Sequence, residues 1–421
     1  MRFKKHQLQN KNSLDALLEQ IGTSKYVLLG EASHGTHEYY TWRAEISKRL
    51  ITEKGFDFIC VEGDWPDCFK INQWIKNFSN SKKNSVDVLK SFKRWPTWMW
   101  ANWEIAAFAQ WLRQHNENLE HEKQVGFYGL DLYSLWDSMD AIINFLEKED
   151  PETARHAKKA IDCFEPYKAR DSYASVRGDY SCKEEVISLL QEVRKKVPTY
   201  KGDREAGLNA EINSMVMKNA EKYYRAMASF GDETWNIRDS HMVDALKVIK
   251  KHHGPDSKVI VWAHNTHIGD ARATDMLSHG LHNIGQLIRE EFHEDGVFLV
   301  GFGSYEGSVI AGDQWGSEMQ TMRVPEAITG SFEYTLHQES AENKLLIFEN
   351  EKPDSVFCNS TIGHRAIGVV YDPNWEKGNY VPSRICDRYD AFLHFEKTRA
   401  LHPLHVSPDE FKTPETYPFG I

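Results

Sequence analysis

Five short apolar segments limit what this chain can fold into. Each is a nearly continuous apolar run that ends in a glycine or a polar residue, and they cover 26–31, 56–63, 123–131, 258–265 and 296–303. Such runs are typical of strands buried on both faces of a parallel sheet. Helices are predicted over 36–54 and about 101–120, because apolar residues recur there at helical spacing. This alternation predicts an α/β fold with a mainly parallel central sheet flanked by helices.

The segment 132–255 differs from the rest because it contains no convincing strand. Successive amphipathic helices are predicted there, over 135–149, 151–164, 182–197, 204–230 and 237–252. A helical block of this length between two strands is an insertion or a lid rather than a simple crossover. We therefore assign 1–131 and 256–421 to an α/β catalytic core and 132–255 to a helical insertion, with a lid function as a hypothesis.

The C-terminal part has a mixed pattern. Further strands are predicted there, at 344–349, 364–372 and 389–396, with proline-bearing loops between them. We therefore expect a mixed α/β arrangement in this part of the core.

Composition and charge exclude several classes of function. The 421 residues are 41% hydrophobic and 27% charged, which is ordinary for a globular protein. The formal net charge of -11 disfavours nucleic acids and anionic membranes, since binding to their phosphates requires an excess of Lys and Arg. The sequence contains no long apolar run of the kind that spans a bilayer. We therefore expect neither a nucleic-acid nor a membrane partner.

The N-terminal segment and the cysteines favour a cytoplasmic protein. Residues 1–20 begin with positive charge but lack the apolar stretch of a secretory signal. The cysteines match no zinc-binding spacing, and they are Cys60, Cys68, Cys163, Cys182, Cys358 and Cys386. Without an export signal we expect all of them to be reduced thiols.

Polar side chains follow four of the predicted strands at the point where each strand ends. In chain order they are Glu31, His34, Glu62, Asp131, His264 and His267. In an open parallel sheet, ligands bind outside the carboxyl ends of the strands. We therefore expect these side chains to converge on one edge of the sheet and to form the functional site.

His34 is the candidate general base. It lies in the Ser33–His34–Gly35 turn, where the first strand leads into a helix. The positive end of a helix dipole disfavours imidazolium, so the ring should stay neutral and able to accept a proton. The alternative is a capping or core histidine, but the neighbouring polar cluster favours catalysis.

The charged neighbours of His34 leave several roles open. Glu31 and Glu62 could orient His34, bind substrate hydroxyls or share a proton. Arg43 falls within the apolar stripe of its predicted helix, where a charge is costly unless it is paired. It therefore forms a buried ion pair with one of these carboxylates, clamps an oxyanion, or does both. The pair Arg238–Asp239 opens a predicted helix, and its aspartate is interpreted as a cap.

A metal site is an alternative use of the same residues. His264 and His267 form an H-x-x-H spacing, and with Glu31 and Glu62 they would make an acceptable zinc or manganese shell. The spacing lacks the helical H-E-x-x-H of zinc peptidases. A histidine that polarises a carbonyl is an equal alternative, so a divalent metal is not required.

Tryptophans cluster within 94–104, and they offer a flat apolar surface. Trp98 and Trp100 are candidate walls of a substrate cleft, with a small satellite core as the alternative. Such a wall would also suit a non-catalytic protein that binds a bulky apolar ligand such as haem. The chain has no G-x-S-x-G elbow, P-loop or dinucleotide fingerprint, so a serine nucleophile, ATP and NAD are unsupported.

Several segments, taken in order, resemble the erythromycin esterase family. They are LLGEASHGTHEYYTWRAEI (28–46), VEGDWPDC (61–68), WPTWMWANWE (95–104), NIRDSHM (236–242) and VWAHNTHIGDA (261–271), and the similarity continues through 330–337, 364–373 and 389–404. The resemblance implies a hydrolase that opens macrolide lactone rings with activated water and without a covalent acyl-enzyme. The expected substrate is therefore a small-molecule ester or lactone.

The resemblance also assigns roles by position. His34 matches the family's general base, while Glu62 and His264 would hold the water and steady the oxyanion and Arg43 would support the carboxylates. Glu31 and His267 match positions that would shape the substrate pocket. The strand-end pattern and the tryptophan cluster, independently of the resemblance, add Asp131, Trp98 and Trp100 as candidate substrate-binding residues. The acidic residues at the strand ends, Glu31, Glu62 and Asp131, would help to bind a cationic amino sugar. Groups of related fold include haem-binding and metal-dependent members, so no cofactor is predicted but a divalent metal stays open.

Overall fold

The computed structural model describes residues 3–78, 83–168, 182–200, 205–228, 233–348 and 356–409. The chain divides into two compact units. Unit 1 contains Met1–Cys60, Lys82–Gly126 and Asp256–Ile421, and unit 2 contains Val61–Ser81 and Phe127–Pro255.

Strands and helices alternate through the first part of the chain. The strands are β1 (Phe3–Gln7), β2 (Tyr26–Leu29), β3 (Phe58–Asp64), β4 (Gly126–Asp131), β5 (Val259–Trp262), β6 (Val297–Ala311), β7 (Gln320–Val324), β8 (Lys344–Phe348), β9 (Ile362–Arg365), β10 (Tyr380–Ser383) and β11 (Ala391–Thr398). The helices are α1 (Asp15–Ile21), α2 (His37–Lys54), α3 (Trp65–Ile75), α4 (Ser85–Leu89), α5 (Trp103–Asn116), α6 (Leu135–Glu149), α7 (Pro151–Lys168), α8 (Lys183–Lys196), α9 (Ala206–Ala228), α10 (Thr234–His253), α11 (Asn265–Ile268), α12 (Ile284–Glu291), α13 (Phe332–Glu339), α14 (Val356–Asn359) and α15 (Ile385–Arg388).

Unit 1 is built on a mixed sheet with a parallel centre. Strand β2 pairs in parallel with β5 and β6, and β11 pairs in parallel with β6. Strands β8 and β1 continue the sheet beyond β11 in antiparallel pairing, and β7 is antiparallel to β6. Residues of β2, β5 and β8 are all buried, as expected for strands covered on both faces. The predicted α/β class with a mainly parallel central sheet is confirmed.

Helix α2 is held against this sheet by its apolar side. Its buried residues include Tyr39, Ile46 and Leu50, which recur at helical spacing. The indole of Trp262 in β5 donates to Ser47 at 3.0 Å. The helix ends at Gly55, whose φ of 67° gives the left-handed conformation that closes many helices. Helix α2 therefore has a fixed position relative to the ends of β2 and β5.

Unit 2 has a helical core. Helix α9 packs against α6, α8 and α10, and α7 packs against α6 and α8. The shared core includes Ile142, Leu146, Val193 and Met217. Helices α6 to α10 agree with the helices predicted from periodicity. The segment 132–255 lies wholly in this unit, which also contains 61–81 and 127–131; its function as a lid stays a prediction.

The strand predicted over 364–372 is wrong in its extent. Strand β9 ends at Arg365, and the backbone then bonds to other segments. The amide of Ile367 donates to Ala32 at 2.8 Å, and the amide of Gly312 donates to Val369 at 2.9 Å. An apolar run of this kind is buried by two different neighbours in turn, so its pattern resembles a strand although its backbone does not form one.

Four of the cysteines form disulfides, which corrects the expectation of reduced thiols. Cys163 is bonded to Cys182 and Cys358 to Cys386, with Cα–Cα distances of 5.9 and 4.9 Å. Each pair lies on two elements that pack together, α7 with the start of α8 and α14 with α15. Their sequence separations of 19 and 28 residues gave no sign of this packing. Cys60 and Cys68 are buried and take part in neither disulfide.

None of the helices in the described residues is long and apolar enough to cross a membrane. The cytoplasmic location stays a prediction.

Candidate active site

The carboxyl ends of β2 and β5 come together at one edge of the unit 1 sheet. Leu29 lies opposite Trp262 in the parallel pairing, so the residues after both strands leave the sheet at the same level. Glu31 follows β2 and His264 follows β5, and the amide of Asn265 donates to the carbonyl of Glu31 at 2.8 Å. The structure therefore brings the polar residues after these two strands together.

Two glycines allow the turn after β2 to pack this closely. A Cβ atom at Gly30 would lie 2.1 Å from the amide oxygen of the Asn265 side chain. A Cβ atom at Gly35 would lie 1.9 Å from the backbone carbonyl oxygen of Ile310. Because real carbon–oxygen contacts are never so short, the conformation of this turn depends on the absence of side chains at both positions.

His34, Glu31 and Arg43 form a buried, hydrogen-bonded row. Nδ1 of His34 lies 3.0 Å from Oε1 of Glu31, and Nη2 of Arg43 donates to Oε2 of the same carboxylate at 2.7 Å. All three side chains are almost completely buried. Arg43 therefore compensates the charge of Glu31, and Glu31 holds the imidazole.

This row determines the tautomer of His34. A carboxylate can only accept hydrogen bonds, so Nδ1 of His34 carries a hydrogen and donates to Glu31. The lone pair of the neutral ring then lies on Nε2. Within the described part of the chain, this buried Nε2 atom has no hydrogen-bond partner. The tyrosine hydroxyl of Tyr40 donates to the backbone carbonyl of His34 at 3.1 Å and steadies the turn.

His264 has the opposite tautomer. Its Nδ1 accepts a hydrogen bond from the backbone amide of Thr266 at 3.3 Å, which caps the short helix α11. The hydroxyl of Thr266 also lies 2.8 Å from Nδ1. A neutral ring that accepts at Nδ1 carries its hydrogen on Nε2. The His34 and His264 ring centres are 5.0 Å apart, so an acceptor and a donor nitrogen lie on neighbouring imidazoles.

Aromatic rings surround the guanidinium of Arg43. Its central carbon lies 4.4 Å from the centre of the Tyr40 ring and 4.8 Å from that of Trp262. Both contacts stabilise a buried cation. Trp100 packs edge-on against Tyr40 with ring centres 6.5 Å apart, whereas Trp98 packs edge-on against Trp95. Trp98 and Trp100 are both buried, and their role at a substrate stays a prediction.

Glu62 and Asp131 belong to a second buried cluster, which lies in unit 2. Nη2 of Arg238 donates to Oε1 of Glu62 at 2.6 Å and to Oδ2 of Asp131 at 2.8 Å. Burial by itself would lower the pKa of the Arg238 guanidinium, but the Asp131 and Glu62 carboxylates outweigh it and raise the pKa well above its ordinary value. Arg238 compensates the negative charge of Glu62 and Asp131, so these two carboxylates have less uncompensated charge with which to bind a cationic amino sugar.

Arg238 is the partner that the sequence did not reveal. It lies in the second turn of α10, and both it and Asp239 are fully buried, so Asp239 is not a helix cap. The signal that could have found it is the same one that marked Arg43, a charge on a helix of otherwise apolar spacing. One turn further on, His241 is buried, and this burial lowers its pKa to about 4.

His267 lies in α11 and is buried. The structure thus places Glu31, His34, Arg43, His264 and His267 in unit 1, and Glu62 and Asp131 in unit 2. The individual catalytic and substrate-binding assignments of these residues stay predictions.

In an α/β fold, a histidine–carboxylate pair beyond the carboxyl ends of parallel strands lies where ligands bind, and an imidazole held by a carboxylate has the chemistry of a general base. The family model for erythromycin esterase matches residues 51–398, and the chain belongs to this family of esterase-type hydrolases. The matched residues begin after Glu31, His34 and Arg43, so the family model does not include these three positions.

Individual relatives agree with this membership. The chain is 24% identical to erythromycin esterase type II of Escherichia coli over 382 residues, which cover 83% of this chain and 86% of that protein. A crystal structure of a Bacillus cereus protein is 20% identical with a TM-score of 0.77, covering 95% of this chain and 96% of that one. A mutant erythromycin esterase in its open conformation is 15% identical with a TM-score of 0.70, covering 97% and 100%. Both structures establish the fold alone.

Proposed function

We propose that this protein is a metal-independent carboxylic-ester hydrolase in which His34 activates water, with macrolide lactones as the first substrates to test. The observation behind the proposal is the hydrogen bond between Nδ1 of His34 and Oε1 of Glu31 at 3.0 Å. This contact leaves the lone pair on Nε2, as a general base requires.

The proposed reaction has two proton transfers. Nε2 of His34 takes a proton from water while the water oxygen bonds to the ester carbonyl carbon, and the carbonyl electron pair moves onto its oxygen. The tetrahedral intermediate then breaks its bond to the ester oxygen, which takes the proton back from His34. The products are a carboxylic acid and an alcohol, which belong to one opened molecule when the substrate is a lactone.

His264 is proposed to stabilise the oxyanion. Its Nδ1 accepts from the amide of Thr266, so the neutral ring carries its hydrogen on Nε2, and this N–H group would donate to the oxyanion. A preorganised donor directed at developing negative charge is among the strongest contributions that a site can make to catalysis. Arg43 is proposed to act indirectly, as a positioning residue, because it holds the Glu31 carboxylate that orients His34.

The contacts of Glu31 favour this chemistry over direct metal ligation by the same residue. One oxygen of Glu31 accepts from His34 and the other accepts from Arg43. A metal on this carboxylate would compete with a cation already in place. Hydrolysis that stops after chelation and returns with a divalent metal would support the metal-dependent alternative and contradict the proposal.

The test is mass spectrometry of the full chain incubated with a panel of macrolides and simple aryl esters. We expect addition of one water to at least one substrate, with no covalent protein adduct, and loss of this product in His34→Ala. His293→Ala removes an exposed imidazole in unit 1 and serves as the matched control.

The outcomes separate the parts of the proposal. Full hydrolysis by His34→Ala would overturn the general-base assignment. Hydrolysis of aryl esters alone would keep the esterase but move its substrate away from macrolides. A purified protein that is red, shows a Soret band and hydrolyses nothing would replace the enzyme by a haem-binding protein.

A further inference from the structure

A second histidine–carboxylate cluster lies in unit 1 outside the candidate active site. Nδ1 of His37 and Nδ1 of His402 each lie 2.6 Å from the same oxygen, Oε1 of Glu104. The two imidazole rings meet edge to face with centres 5.1 Å apart. Three potential ligand atoms therefore converge on one point within the described residues.

Backbone contacts hold the three residues in place. His37 is the first residue of α2, and its amide donates to the carbonyl of Arg399 at 2.8 Å. Glu104 lies in the first turn of α5, where the amide of Trp103 donates to the carbonyl of His402 at 2.9 Å. The start of α2, the start of α5 and the C-terminal segment are thus joined at this cluster before any ligand binds.

Other histidine–carboxylate contacts in the described chain lack this convergence. His337 and His394 contact different oxygens of Glu396, so their nitrogens do not meet at one point. His156 pairs with Glu192 without a second imidazole. The shared oxygen of Glu104 is therefore a specific feature and not a general consequence of abundant histidine.

The residue types at this point match a divalent transition metal. Two imidazoles and one carboxylate form a known ligand set for zinc, which then keeps a further position open to water or a small ligand. Without an ion, the Nδ1–H groups of both rings donate to Glu104. To bind the ion through Nδ1, each ring would have to carry its hydrogen on Nε2 instead.

The cluster opens onto a cleft of about 290 Å³. The cleft is lined by the three candidate ligands, by Lys48 and by apolar side chains that include Trp103 and Phe108. A fourth ligand of the ion would therefore have space on the cleft side, where solvent can enter.

We propose that His37, Glu104 and His402 form a binding site for one divalent transition-metal ion, with Zn²⁺ as the best match. The ion would link α2, α5 and the C-terminal segment, and it is separate from the ester hydrolysis proposed above. Its stabilising effect follows from mass action, because the three ligands come together only in the folded chain.

The test is calorimetric titration of metal-stripped full-length protein with Zn²⁺, accompanied by a thermal unfolding scan. We expect one strong site per chain and a higher unfolding temperature with Zn²⁺. Removing a residue that only hydrogen-bonds to a metal ligand typically weakens metal binding by about 10–100-fold. His402→Ala removes a ligand itself, so it should weaken Zn²⁺ binding at least as much. His402 is exposed, so this variant should fold normally. Co²⁺ should give the visible absorption of a four-coordinate ion in the wild type but not in His402→Ala.

His156→Ala is the matched control, because it removes one histidine–carboxylate contact without a converging partner. We expect this variant to bind Zn²⁺ as the wild type does. Absence of a strong site in the wild type, or equal binding by wild type and His402→Ala, would overturn the proposal. The readout is metal binding, so its failure is distinguishable from a failure of hydrolysis.

Discussion

At the scale of single residues, the position of one hydrogen on each imidazole determines what the unit 1 cluster can do. His34 donates from Nδ1 to a carboxylate, whereas His264 accepts at Nδ1 from a backbone amide. These tautomers suit the roles proposed above, in which His34 accepts a proton from water and His264 donates to an oxyanion. Neither role follows from the residue type, because histidine can adopt both tautomers.

Glu31→Gln tests the contact that fixes the His34 tautomer. The amide keeps the shape of the side chain but removes the charge that stabilises the imidazolium formed during the reaction, so we expect kcat to fall by about 10²–10⁴-fold. Steady-state hydrolysis of the substrate found for the wild type measures this loss. Glu53→Gln, on the exposed end of α2, should leave kcat unchanged. Equal rates for the wild type and Glu31→Gln would show that this carboxylate does not support His34.

Arg238→Met tests the buried cluster of unit 2. The variant leaves the Glu62 and Asp131 carboxylates without their shared cation, and loss of one partner of a buried ion pair costs about 3–5 kcal/mol. Urea unfolding measures the decrease in the free energy of unfolding. Arg194→Met removes the half-exposed contact with Glu211 in the same unit and should cost at most about 1 kcal/mol. A similar effect of both substitutions would contradict the view that burial makes the Arg238 cluster important.

At the scale of elements, the spacing of apolar residues predicted the helices correctly. An apolar run that is buried by several neighbours was wrongly predicted to be a strand. Helix α2 and helices α6 to α10 follow the spacing of their apolar residues, because each buries one stripe against its own unit. The strand predicted over 364–372 was too long because the backbone after β9 bonds to two different segments in turn. A sequence pattern records that a residue is buried but does not record which neighbour buries it.

Gly35→Ala tests the turn that joins β2 to α2. The added methyl group would meet the backbone of Ile310 at 1.9 Å, so we expect the free energy of unfolding to fall by about 1–3 kcal/mol and hydrolysis to decrease as His34 shifts. Gly363→Ala is the control, because its nearest neighbour would be at 3.4 Å. It should change stability by no more than about 0.5 kcal/mol. If Gly35→Ala matched this control, the turn would have room that the structure does not indicate.

At the scale of the whole molecule, buried histidines make stability depend on pH. Burial lowers the pKa of His241 to about 4, with Asp131 opposing this shift and Lys218 adding to it, and burial lowers the pKa of His253 to about 2. The unfolded chain has ordinary imidazoles with a pKa of about 6.5. Below that value the unfolded state binds more protons than the native state, so stability falls as pH falls.

His241→Asn isolates one part of this effect. Asparagine can still accept from Asn219 but does not titrate, so the variant should lose less stability than the wild type as the pH falls from about 6.5 to about 4. The difference should reach up to about 3 kcal/mol at the acid end of this range. Urea unfolding at several pH values measures it, and His156→Asn, at an exposed position, should follow the wild type. Parallel profiles for the wild type and His241→Asn would contradict the assignment.

Much of this protein could be read from local information. The apolar runs indicated β2, β5 and β6, the polar residues after them indicated the edge of the sheet, and Arg43 was recognisable as a buried charge in need of a partner. Each of these signals lies within a few residues of the feature it predicts, and each follows from the cost of burying polar groups or exposing apolar ones.

Contacts between segments that are distant in the sequence could be identified only in the folded structure. The choice of Arg238 for Glu62, the two disulfides, and the meeting of His37 and His402 at Glu104 join residues that are far apart in the sequence, 298 residues in the case of Glu104 and His402. Such contacts depend on how whole elements pack, and a side chain carries no local mark of the partner it will meet. Chemical types, strand ends and the tautomers of His34 and His264 are therefore local properties of this chain. The charge compensation of Glu62 and Asp131 by Arg238 arises from tertiary packing, because these residues meet only when whole elements pack together.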